Sequence, residues 1–140
     1  MVENKRKISS LAPYKVKNGL VFIFLQKRDK NASRHPGFFG FFGGGADNNE
    51  TPTDTLLREI KEELDFIPES FNHFGRYDLP EIIMDLFITK VGSDFEENIK
   101  ILEGEYGKWF SEEDFEKERQ FITGDLRILE ELYEKISKYE

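Results

Sequence analysis

The stretch TPTDTLLREIKEELDF, residues 51–66, constrains the fold more than any other part of the chain. Thr51 suits a helix N-cap, Pro52 the first helical position, and Asp54, three residues after the cap, completes a capping box. The helix is expected to run to about Leu64. Wound at about 100° per residue, Leu56, Leu57, Ile60 and Leu64 form one apolar stripe, and Glu59, Glu62 and Glu63 fill the adjoining arc. Lys61 projects from the far side, and Arg58 stands at the outer edge of the acidic arc. Glu63 lies only about 20° from Leu56 and so borders the buried surface. Such a helix must lay its stripe against another layer, and it carries three like charges to the margin of that contact.

Carboxylates three and four residues apart on a helix repel at a cost of about 0.2–0.5 kcal/mol per pair. A charge run usually means a solvated face, but here the acids sit on the shoulder of the core and the nearest lysine points away. A hard divalent cation fits that gap, because magnesium takes carboxylates, keeps several waters and accepts substrate phosphates as further ligands.

The flanking sequence supplies the other layer. Ile8 to Val16 reads as a strand, with Pro13 suggesting an edge or a bulge. Lys17-Asn18-Gly19 is a turn, and LVFIFLQK (20–27) a buried strand. Residues 28–37 form a polar loop ending in Pro-Gly, followed by aromatics running into Gly43-Gly44-Gly45, read as a loop that lets backbone approach a ligand. Strands are expected at Asn72 to Tyr77 and Ile82 to Val91, a polar turn at Gly92 to Asn98, and an extended segment from Ile99 to Phe110. Ser111 with Asp114 caps a short helix, and Asp125 to Tyr139 repeats leucines at helical spacing. The pattern predicts an α/β fold, a mixed sheet with helices on both faces, in one domain over residues 1–140.

Composition removes whole classes of function. There is no cysteine, which excludes a disulfide scaffold or thiolate zinc site. The formal charge of −8 argues against a grip on a nucleic acid polymer. The longest apolar run, Leu20 to Leu25, is too short to span a membrane. A soluble, cytoplasmic protein is expected, with a homodimer left open. The three glycines are followed by no Gly-Lys-Ser/Thr, so they are not a P-loop, and Ala46-Asp47-Asn48 breaks the dinucleotide fingerprint. His35 and His73 are assigned no role, and the 14 phenylalanines are expected mostly in the core.

Gly44, Glu50, then Arg58-Glu59-Ile60-Lys61-Glu62-Glu63 and Leu64-Asp65-Phe66, at these spacings, resemble the Nudix box. Glu103-Gly104-Glu105-Tyr106-Gly107-Lys108-Trp109 resembles a downstream segment whose glutamate reaches back to the metal site in many members. Two positions depart from the pattern: Asp65 stands where glycine is usual and Phe42 where proline often precedes the glycines. The resemblance implies an α/β/α sandwich that hydrolyses a nucleoside diphosphate linked to another moiety, X, using Mg2+ or, in its place, Mn2+. It implies Glu62 and Glu63 as direct metal ligands, with the Gly44 carbonyl as a further one. Glu59 is ligand or general base, and Glu103 is the rival base or an added ligand. Arg58 orients the acids together with Glu50. Gly43, Gly44, Gly45 and Phe41 are expected against the substrate.

X stays open. A nucleoside triphosphate is favoured, because the chain is short and lacks the N-terminal extension of many nucleotide-sugar hydrolases. Tyr77 and Pro80 lie too close to the box to mark another subfamily. A nucleotide sugar, ADP-ribose, a dinucleoside polyphosphate, or a nucleotide-sensing module without turnover are the alternatives.

Overall fold

The computed structural model describes residues 5–139. Its strands are β1 (Arg6–Lys17), β2 (Leu20–Lys27), β3 (Phe39–Gly40), β4 (Phe42–Gly45), β5 (Asn72–Asp78), β6 (Ile82–Lys90) and β7 (Tyr106–Phe110). Its helices are α1 (Pro52–Leu64), α2 (Glu112–Lys117) and α3 (Leu126–Tyr139). All seven strands join one mixed sheet of order β3-β2-β1-β6-β5, with β4 added to β1 and β7 to β2. β1 runs parallel to β6 and antiparallel to β2 and β4.

Strict alternation of side chains sorts the sheet into two cores. Leu11, Phe24 and Phe87 face α1 and meet its Leu56, Ile60 and Leu64. Their neighbours Ala12, Ile23, Leu25, Leu86 and Ile88 face the other way, against Ile128, Leu129, Leu132 and Ile136 of α3. The Tyr133 hydroxyl donates to the Phe110 carbonyl at 2.7 Å and fastens α3 to β7. This is the expected mixed sheet between helical layers. The phenylalanines mostly fill it, with Phe24 and Phe42 stacked at 5.5 Å between ring centres.

Local signals behaved as expected. Asn18 and Gly19 take positive φ in the turn between β1 and β2. Thr51 Oγ1 accepts from the Asp54 amide while Asp54 Oδ2 accepts from the Thr51 amide. Asp65 closes α1 in the left-handed conformation, φ 49° and ψ 47°, the state for which glycine is the usual choice. On α1, Thr55 is buried and Leu57 only half so, a small rotation of the expected stripe.

Three expectations need correction. Pro13 lies in a central strand, not at an edge or a bulge. It sits where the partner of β1 on one side changes from β4, paired through Leu11, to β2, paired from Tyr14. A missing N–H is tolerated at that junction, because Ala12 and Pro13 have no registered partner there. Second, only Tyr106–Phe110 of the segment 99–110 is a strand. Residues 99–105 instead cross the C-terminal end of α1, where the Lys100 and Leu102 amides donate to the Leu64 and Glu63 carbonyls at 2.9 and 2.8 Å. Carbonyls in the last turn of a helix need such outside donors, and meeting them takes the chain out of a sheet ladder. Third, the triple glycine is strand β4, in register with Ile8 to Ser10 of β1, and not a free loop.

Candidate active site

β4 and α1 lie against each other, and the glycines permit it. A Cβ on Gly44 would stand 2.5 Å from the Glu59 carboxyl, so only glycine leaves room for that side chain. A Cβ on Gly43 would meet the Ser9 carbonyl at 2.0 Å. With the strand this close, the Gly43 amide donates to Glu63 Oε1 at 2.8 Å. Glu63 is 3% exposed, more deeply buried than the helical wheel implied.

Arg58 organises the acids. Its Nε and Nη2 grip both oxygens of Glu50 at 2.8 and 2.9 Å, and Nη2 also donates to the Gly45 carbonyl at 2.8 Å. Nη1 reaches Glu59 at 3.0 Å and Glu62 at 3.4 Å. Glu50 is saturated by further donors, the Asp47 amide at 2.7 Å and the Thr55 hydroxyl at 3.1 Å. Its carboxyl is held down at about 2, chiefly by the Arg58 hydrogen bonds. Paired forks of this kind fix orientation as well as charge. Glu50 and Arg58 therefore pin β4 and its following loop to α1 and set the direction of Glu59.

Glu103 joins this group from the irregular segment 99–105. Its carboxyl shares a hydrogen bond with that of Glu63. Gln26, 2% exposed, donates from Nε2 to the Glu103 carbonyl at 3.2 Å. Gly104 has φ +86°, and a Cβ there would strike Gln26 and the Lys27 carbonyl, so glycine lets the segment turn tightly over β2. Burial, then the Glu103 hydrogen bond, pushes the Glu63 carboxyl up to about 9 against the counter-pull of the Gly43 amide. Glu59 is raised by burial and by the nearby charges of Glu62 and Glu103, while Arg58 lowers it.

Among the described residues, no three acidic side chains enclose a point with the geometry of a bound ion. Glu62 leans out to Arg58, and Glu63 is turned onto Gly43. The donor set nevertheless fits a hard divalent cation. Four carboxyls act on one another across a few side-chain widths, and two share a hydrogen bond that full ionisation would break. Glu59, Glu62, Glu63 and Glu103 are thus brought together beside Gly43 and Gly44, with Arg58 and Glu50 behind them. Phe41 is not brought to them. It packs, partly buried, with the α3-side core, on the sheet face away from α1.

Two features carried no signal in the sequence. His73 bonds Asp85 at 2.8 Å across β5 and β6, and Asp85 lines a cleft with Glu50 and Thr55. Asp125, 7% exposed at the foot of α3, is pushed up to about 7 by burial, with Arg28 pulling it down. Its Oδ2 would lie 3.6 Å from a Cβ on Gly40.

A glycine strand against an acid-bearing helix, clamped by a Glu–Arg pair in an α/β/α sandwich, is the layout of a Nudix-type hydrolase. The NUDIX domain model matches residues 9–132, and the chain belongs to that family, whose members hydrolyse nucleoside diphosphate derivatives. Among curated proteins no sequence matches it significantly. Solved structures share the fold. A MutT from work on Aliivibrio salmonicida and Vibrio cholerae is 19% identical with TM-score 0.75, covering 94% of this chain and 99% of its own. The NUDIX domain of Shewanella oneidensis NrtR, complexed with ADP ribose, is 16% identical with TM-score 0.75, covering 96% and 90%. A mutT/nudix family protein from Listeria innocua is 21% identical with TM-score 0.74, covering 99% and 98%.

Proposed function

We propose that the chain hydrolyses a phosphoanhydride bond of a nucleoside triphosphate with the help of a divalent cation. The observation that carries this reading is the convergence of Glu59, Glu63 and Glu103 beside the glycine strand, with Glu62 adjoining and Arg58 behind. Glu62 and Glu63, joined by Glu59 and the Gly44 carbonyl, would hold Mg2+ or Mn2+. Such an ion offsets phosphate charge and lowers the pKa of a bound water.

The chain's own residues do the rest. Glu59 or Glu103 takes the proton from a water whose oxygen bonds to phosphorus as the bridging P–O bond breaks. Glu59 is held by Arg58 and packed on Gly44, a fixed carboxylate suited to ligation. Glu103 is exposed and carried on a turn, which suits a group that must exchange a proton with solvent. The bound ADP ribose of the Shewanella domain makes ADP-ribose the second substrate to test. The complete set of acids weighs against a sensor without turnover. Incubating the protein with magnesium and a panel of triphosphates, nucleotide sugars, dinucleoside polyphosphates and ADP-ribose tests the reading. Release of phosphate or pyrophosphate from a triphosphate supports it, and binding without any product overturns it.

A further inference from the structure

Thr55 is fully buried on α1, where a β-branched residue costs helix stability that alanine would not. Its hydroxyl has two acceptors within reach, Glu50 Oε1 at 3.1 Å and the Thr51 carbonyl at 3.2 Å. The second is the local bond that a helical threonine makes one turn back, and that carbonyl already receives the Thr55 amide at 3.0 Å. The first is different in kind. It leaves the helix for the loop before α1 and ends on a carboxylate held ionised, so it is charge-assisted.

Glu50 has another place to turn. A cleft of about 80 Å³ opens beside it, lined by Glu50 and Thr55 together with Lys7, Ser9, Arg76 and Asp85. It has room for more than one water, and it carries two cations, Lys7 of β1 and Arg76 of β5. Arg76 reaches the buried Asp85 only at 3.5 Å. The wall of the cleft is fixed, because Ser9 Oγ donates to the Pro52 carbonyl at 2.8 Å and ties the first turn of α1 to β1. The Glu50 oxygen that accepts Thr55 also accepts Arg58 Nη2 at 2.9 Å and the Asp47 amide at 2.7 Å. A turn of Glu50 into the cleft, toward the two cations, would break all three bonds together.

We propose that Thr55 is a positioning residue, whose hydroxyl holds Glu50 on Arg58 and out of the cleft and so fixes how Arg58 presents Glu59 and Glu62. It acts through Glu50 and Arg58, not on the substrate. This rests on the hydrolase reading above.

Thr55→Val tests it in the full chain, since it keeps the shape and removes the hydroxyl. Glu50 keeps its Arg58 and Asp47 donors and the Thr51 carbonyl keeps the residue 55 amide, so no buried polar atom is orphaned. With magnesium and a triphosphate, kcat is expected to fall about ten-fold while KM moves less than about three-fold. Thr55→Ser, which restores the hydroxyl, should recover kcat to within about two-fold of wild type. Thr55→Ala, the better helix former, should lose as much as Thr55→Val, which keeps the test decisive if valine disturbs packing. In a Glu50→Gln background Thr55→Val should cost nothing further, because the path it acts through is already broken. A readout independent of turnover is hydrogen exchange of the Arg58 Nε–H, bonded to Glu50 Oε2 at 2.8 Å. It should quicken about ten-fold in Thr55→Val and stay at the wild-type rate in Thr55→Ser. Equal losses in the valine and serine variants, an undiminished loss in the Glu50→Gln background, or unchanged Arg58 exchange in Thr55→Val overturns the role. If the wild type cleaves nothing yet the exchange pattern appears, the positioning role stands and the hydrolase reading falls. If wild type and Thr55→Val cleave triphosphate equally, the hydrolase reading stands and the positioning role falls.

Discussion

Replacing Glu63 with Gln should stabilise the metal-free protein, and increasingly so as pH rises. In the folded chain the Glu63 carboxyl titrates at about 9, against an ordinary 4.5, because it is buried and bonded to Glu103. Between those values the native state keeps a proton that the unfolded chain has released, so stability falls as pH rises through the window. Each pH unit costs about 1.4 kcal/mol, giving about 3 kcal/mol by pH 7 with both carboxyls held as they stand. Glu103 is exposed and can turn into solvent, which reduces the expected effect to ~1–2 kcal/mol. Gln keeps the shape, accepts the Gly43 amide and offers its own NH2 to Glu103, yet does not titrate. Denaturant unfolding of both proteins in chelator, from about pH 5 to about pH 8, measures the difference directly. The advantage of Glu63→Gln should widen across that range. Parallel curves, or a variant less stable throughout, would refute the idea that Glu63 is buried at a cost. Saturating magnesium should then raise the wild-type melting temperature far more than that of the variant.

Other substitutions probe the rest of the site. Gly44→Ala should displace the Glu59 carboxyl and lower turnover at least about ten-fold while circular dichroism stays native, since its Cβ would meet that group at 2.5 Å. Glu103→Gln is expected to slow single turnover at least about ten-fold with magnesium affinity little changed, and Glu59→Gln to weaken magnesium binding; the reverse pattern assigns the base to Glu59. Asp65→Gly should raise stability by about 0.5 kcal/mol by relieving a left-handed residue, read from the denaturation midpoint at unchanged slope.

What could be read from the sequence depended on how far apart the interacting residues are along the chain. α1 was legible from its first cap to Asp65 because a capping box, an N1 proline and a 3.6-residue stripe are all local. The grip of Arg58 on Glu50 was legible only because both fall within one motif, and Glu103 only through a resemblance. Pro13 was misread because strand order is non-local: nothing in SLAPYK tells that the partner of β1 changes there. Glu63 looked marginal on a bare helical wheel and became buried once β4 closed over it. Asp125 was illegible, since its burial arises only when the foot of α3 packs beside Gly40 of β3.

The two amides that Lys100 and Leu102 give to the last carbonyls of α1 have a dynamic consequence. They tie the segment carrying Glu103 to the end of the helix carrying Glu63, so fraying of that helix end breaks the bonds that hold the segment. In native-state hydrogen exchange the amides of Lys100, Leu102 and Asp65 should therefore share one opening free energy, as a single cooperative unit. Loosening the helix terminus would then carry Glu103 away from Glu63 in the same event, and the site would come apart and reassemble as a piece.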